Sequence, residues 1–322
     1  MRRPIRLLLV ALLALGLAPG TWWRSPIPPP AFDGQLEVAE LIDPPGFSGL
    51  LELTGAWQLD HANPFFGGFS ALTWMGGAHF LAGSDRALLL HFTVPGASPA
   101  RASMQPLAAS EARATEDLEA IARDRTTGQM WFAFERENLV ERHDPGGRIL
   151  DVAPTAMSGW PSNGGAETLA KLADGRFLVI RESRSDTGGN AHPALLFDAD
   201  PVTGGEPMAF AVATPADYRP VDAAQLPDGR AIILLRRLVS VWPAQFATAL
   251  LVADPAQIEA GGIWSGKVVT RIGGPGLADN FEGLAVVPRG PSGAAELYLV
   301  SDNNFSPMQR TILLRIAWPA TR

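Results

Sequence analysis

Cysteine is absent from the chain, which excludes a disulfide framework, a lipid-modified cysteine and any thiolate chemistry. Lysine is nearly absent. Of 26 basic residues only Lys171 and Lys267 are lysines, so anion contacts fall to arginine, whose planar fork suits phosphate and carboxylate. No basic tract interrupts a net charge of −7, which argues against a nucleic-acid partner. The five histidines recur at no fixed position, so zinc and iron lack a ligand set. No G-x-S-x-G elbow, P-loop, Rossmann fingerprint or H-E-x-x-H occurs, which excludes the serine hydrolases of α/β type.

What the chain does have is 33 glycines and 28 prolines in 322 residues, a composition of many tight turns. Its first 20 residues read as a signal peptide. Arg2, Arg3 and Arg6 precede an apolar run at 7–17, and small residues close it at 18–20. The run is shorter than the roughly 20 residues a spanning helix needs, so a periplasmic or secreted protein is expected, with no membrane span after cleavage. Residues 21–35 form a proline-rich leader, and 36–322 the folded domain.

Five segments share one template. They begin at GFSALTW (68–74), DLEAIARD (117–124), GAETLAKLADG (165–175), VDAAQLPDG (221–229) and NFEGLAVVPRG (280–290). Each is followed by a second apolar run ending in charge: HFLAGSDR, MWFAFERE, RFLVIRE, AIILLRR and ELYLVSDNN. A third apolar run completes each unit. These runs are β-type and bounded by glycine turns, of which Asp174-Gly175 and Asp228-Gly229 are strong hairpin signals. Antiparallel strands recurring every 48–60 residues match one propeller blade. The expected fold is therefore an all-β propeller of four-stranded antiparallel blades. Five repeats are seen, and strands near 36–42 and 51–59 either close the ring or build a sixth blade.

In a blade the start of the innermost strand and the end of the second lie at the same end of the channel. The first set is Ser70, Glu119, Glu167, Asp222 and Glu282. The second is Asp85 with Arg86, Glu135 with Arg136, Arg181 with Glu182, Arg236 with Arg237, and Asp302 with Asn303 and Asn304. Two carboxylates ~6 Å apart repel by roughly 3 kcal/mol at an effective dielectric near 20. A ring of them stands only if arginines interleave, some groups stay protonated, or a cation binds. Hard oxygen ligands suit Ca²⁺, or less well Mg²⁺. Trp74 and Trp131 read as blade-packing residues.

These stretches, in order from about 66 to 318, resemble the family described as "esterase-like activity of phytase". The resemblance implies calcium held in the channel mouth, with Glu119, Glu167, Asp222, Glu282 and Asp302 as ligands. Arg136, Arg181, Arg237 and Arg310 would contact phosphate, with Asn303 and Asn304 beside them. A metal-assisted phosphoester hydrolase acting on a small anionic substrate is then expected, Glu167 or Glu119 serving as general base. The alternatives are a non-catalytic ligand-binding propeller and a calcium-dependent carboxyl-ester or lactone hydrolase.

Overall fold

The computed structural model describes residues 3–22, 32–97, 101–108, 117–154, 156–185 and 189–320. Residues 23–31 of the expected leader lie outside the described residues. Residues Arg3–Trp22 form a helix, and no helix among the described residues is long and apolar enough to cross a membrane. At the end of the leader, Asp33–Gly34 pairs with the outer strand of the first blade.

From Phe69 onward the chain builds five antiparallel sheets arranged as a five-bladed propeller. The innermost strands are Phe69–Gly76, Leu118–Arg123, Ala166–Lys171, Arg219–Gln225 and Asn280–Pro288 for blades one to five. Each packs against the one before and the one after, and that of blade five packs back on blade one, which closes the ring. Short glycine turns make the hairpins possible. Gly175 and Gly229 adopt φ of 94° and 90°, a region closed to most side chains by the Cβ clash.

Closure uses both ends of the folded domain. Glu52–Asp60 pairs antiparallel with the last strand, Thr311–Trp318, and Glu37–Glu40 pairs on its outer side. The strands that left the blade number open thus complete blade five, and no sixth blade forms. Phe47–Gly49 joins the edge of blade four instead.

The blades bury both faces, so the apolar side chains collect in five wedges, one at each seam. Between blades one and two lie Leu81, Phe132 and Phe134; between four and five lie Ile232, Phe281 and Leu297. This is why the repeated strands read as nearly continuous apolar runs, not as an alternation with one wet face. In blade four, Ala231–Val241 and Ala244–Ala253 form a long hairpin that leaves Leu238, Val239, Val241 and Trp242 exposed.

Candidate functional site

Every innermost strand carries a β-bulge near its start. The register skips one residue in each pairing with the second strand, and the skipped residues are Ser70, Glu119, Glu167, Val221 and Glu282. A bulge leaves its extra residue unpaired and re-aims its side chain. On the second strand, the residues that follow the partner of the residue before each bulge are Asp85, Glu135, Glu182, Arg236 and Asp302. Apart from Val221 and Glu182, the two series line a cavity of about 390 Å³ at one mouth of the channel. Ser70, Asp85, Asp117, Glu119, Glu135, Glu167, Glu282 and Asp302 line it, with Arg136, Arg236, Ser162, Asn163 and Asn304.

The fourth blade departs from the expected set. Its bulged residue is Val221, and Asp222 is the next residue, paired opposite Leu234. Successive strand residues face opposite ways, so Asp222 turns from the mouth into the seam with blade five. There it accepts hydrogen bonds from the backbone N–H of Leu284 at 2.6 Å and of Ala223 at 2.7 Å. By the same one-residue shift, Arg236 lines the mouth and Arg237 does not; the Arg237 guanidinium lies 5.2 Å from the Tyr218 ring centroid. Counting seven residues back from each Asp-Gly turn aligns Glu167 with Val221, a signal that the acidic pattern concealed.

Three other candidates are also engaged outside the cavity. Arg181 is buried and donates to the carbonyls of Ser183 and Arg184. Arg310 donates to the carboxylate of Asp279 at 2.7 Å and to the carbonyl of Gly276. Asn303 accepts from the N–H groups of Gly68 and Phe305, which ties blade one to blade five. Glu119, Glu167, Glu282, Asp302, Arg136 and Asn304 do share the mouth.

Charge divides this mouth into two unlike halves. On the side of blades three to five, Arg236 donates to Glu182 at 2.7 Å and to Glu282. Arg219 also donates to Glu182, at 2.9 Å, and Asn280 donates to Glu282 and Asp302. Burial alone would raise Glu182, but Arg236 and Arg219 overcome it and hold the carboxyl below its ordinary range.

On the side of blades one to three the acids lack such partners. Carboxylate oxygens of Asp117, Glu119 and Glu135 lie within 4.8 Å of one another. Burial, then the charges of Glu167 and Glu135, pushes Glu119 well above the usual carboxylate range. Glu167 is raised in the same way by burial and then Glu182, and it hydrogen-bonds the Glu135 carboxyl. Asp85 is pushed up to about 7 by burial and then by Asp302. Its Oδ1 atom is buried without a hydrogen-bond partner. Among the described residues the cations on this side include Arg136, exposed and 3.3 Å from Asp117, and Arg86, whose charge offsets part of the rise at Asp85.

Glu135 is held by backbone. The N–H groups of Gly164 and Gly165 both donate to its Oε1, the second at 2.7 Å. Gly165 has no room for a side chain, since a Cβ would lie 2.4 Å from Oδ1 of Asn138. Asp117 was missed as a candidate, although it precedes Glu119 by two residues, the spacing that shares one face of a strand.

A family model described as "Phytase-like: Esterase-like activity of phytase" matches residues 64–305. No curated protein matches the chain. Among solved structures, a luciferin-regenerating enzyme is 13% identical over 88% of this chain and 95% of its own, with a TM-score of 0.44. Hydrazine synthase of Kuenenia stuttgartiensis is 12% identical over 76% of this chain and 79% of its own, with a TM-score of 0.41. A protein of unknown function from Desulfotomaculum acetoxidans is 12% identical over 80% of this chain and 74% of its own, at 0.38. No functional reading follows from likenesses at this level.

Proposed function

The chain belongs to the phytase-like family with esterase-like activity of phytase, and from that premise we propose that it is a calcium-assisted phosphoester hydrolase working at the acidic mouth. The observation that carries this reading is the split in charge. Arg236 and Arg219 neutralise one half, while Asp85, Asp117, Glu119, Glu135 and Glu167 crowd the other, where among the described residues the one ion pair is that of Arg136 with Asp117.

The residues present fit a calcium ion. The donors are all hard carboxylate oxygens. Their 4.8 Å spread falls inside the roughly 5 Å that two oxygens span across an ion with ligands at about 2.4 Å. The bare Oδ1 atom of Asp85 supplies a further acceptor with nothing to accept from. Asp117, Glu119 and Glu135 would hold the ion, with Asp85 beside them. When bound, such a cation polarises phosphoryl oxygens and offsets the charge that builds on them.

The chain's own groups supply the rest. Arg136 stands exposed at the rim, where its fork can meet an incoming phosphate. Glu167 holds a proton more firmly than an ordinary carboxylate because it is buried among acids. In its ionised form it is therefore a stronger base, suited to take a proton from the attacking water. Asn304, Ser162 and Asn163 present polar groups around the same cavity.

We also infer export. The arginines at 2, 3 and 6 and the apolar run at 7–17 support a signal segment, and a mature protein lacking residues 1–20 in the culture medium or periplasm would test it.

The decisive assay offers p-nitrophenyl phosphate, bis-p-nitrophenyl phosphate and phytate, with a carboxyl ester and a lactone alongside, in calcium and in chelator. Calcium-dependent phosphate release, reduced by about 10²-fold or more in Glu167→Gln, is expected. Turnover of the carboxyl ester or lactone alone would move the protein to the second hydrolase class. Saturable binding of phosphate esters with no turnover would make it a ligand-binding propeller.

A further inference from the structure

The opposite mouth of the channel is chemically the reverse of the acidic one. A cavity of about 430 Å³ opens there. Ala173, Ala224 and Pro227 line it and are not buried; Leu72, Ile121, Leu169 and Leu284, each two residues beyond a bulge, border it but are buried in the seams. Two residues farther along, the equivalent positions carry Trp74, Arg123, Lys171, Gln225 and Val286 at the rim. Arg125 follows in the turn of blade two. It donates to the carbonyl of Val286 in blade five at 2.8 Å, and its guanidinium lies 5.3 Å from the Trp74 ring centroid in blade one.

Three cations thus meet one acid. Among the described residues Asp124 is the only carboxylate lining the cavity, and it is already committed, to Lys171 at 3.3 Å and to the N–H groups of Thr126 and Thr127. Neither Arg123 nor Arg125 forms an ion pair among the described residues, and Arg123 Nε is buried with no hydrogen-bond partner. Burial and the neighbouring Arg123 push Arg125 below its ordinary range, as expected of a guanidinium short of a counter-charge. In a chain with net charge −7, a confined site left with surplus positive charge is not explained by overall composition.

We propose that this far mouth is a second binding site, for a small organic anion whose carboxylate meets Arg123 and Arg125 while its apolar body lies against Trp74, Ala224 and Pro227. Arginine forks recognise planar oxyanions by paired hydrogen bonds, and here they stand beside apolar side chains that a short alkyl chain can cover. The site lies at the other end of the channel from the acidic mouth and needs no divalent cation.

Calorimetry in the presence of chelator, with acetate, butyrate, hexanoate and inorganic phosphate as probes, tests it. Affinity is expected to rise along the carboxylate series, by up to about fourfold per methylene buried. Arg123→Gln and Arg125→Gln should each weaken hexanoate binding about tenfold or more, Arg123→Lys less, and Glu119→Gln not at all. Circular dichroism on the same variants separates lost binding from lost folding. No saturation by any probe up to about 10 mM, affinity unchanged in both glutamine variants, or phosphate binding with no response to hexanoate would overturn the proposal. None of these results bears on the calcium-dependent assay, because chelator is present throughout.

Discussion

Arg236 donates to the Oε1 atom of Glu182 at 2.7 Å, joining the second strand of blade four to the corresponding strand end in blade three. The same guanidinium reaches Glu282 in blade five, so one cation ties three blades at the mouth. Where the other blades place an acid, blade four places this arginine.

Replacing it would take this cation away from two buried carboxylates. Arg236→Met is expected to destabilise the fold by about 3–5 kcal/mol near neutral pH, because both acids keep their desolvation cost while Glu282 loses its cation and Glu182 keeps only the more exposed Arg219. Urea unfolding of the variant against the parent measures this. The loss should shrink as pH falls toward the range, below the ordinary one, where Glu182 takes up its proton.

Acidity of the unpartnered half sets an opposite pH dependence. Asp85 moves from an ordinary 3.8 to about 7, and Glu119 and Glu167 are raised as well. An acid with a raised folded-state pKa binds its proton more tightly when folded, so its stabilising effect is full below the unfolded pKa and is lost as pH rises through the folded one. In chelator, Tm should therefore decline between about pH 4 and 7 on account of Asp85. Calcium, which binds the ionised carboxylates, should flatten that decline. Thermal scans across pH with and without calcium would show it; parallel curves would contradict it.

Asp222 and Glu119 look alike in the repeat but should respond oppositely. Asp222→Asn can accept at only one of its two atoms, leaving the N–H of Leu284 or Ala223 unpaired, at a cost of about 1–3 kcal/mol. Its calcium affinity should match the parent's. Glu119→Gln should keep its stability, or gain some in chelator, and lose calcium affinity by about tenfold or more. Paired unfolding and calcium titration on both variants separate the two roles.

Much of this architecture was legible in the repeats. Strand after strand of Val, Ile, Leu and aromatic residues, broken by glycine turns at blade-length spacing, pointed to a propeller whose acids share one mouth. The register of one blade was not legible, because Val221 and Asp222 are adjacent and a rule seeking acids picks the acid. Only the pairing of Pro220 with Leu235 and of Asp222 with Leu234 shows which residue the bulge expels.

The amino-acid order by itself determined the local facts: which runs become strands, where they turn, and how often the unit recurs. These depend on side-chain branching and glycine conformations that act over a few residues. Tertiary structure decided which charges meet. Arg236 reaches across three blades, Arg310 is spent on Asp279, and Arg125 spans the far mouth to Val286. Those pairings depend on the closure of a ring that brings together residues far apart in the chain, and no local pattern encodes the distance between them.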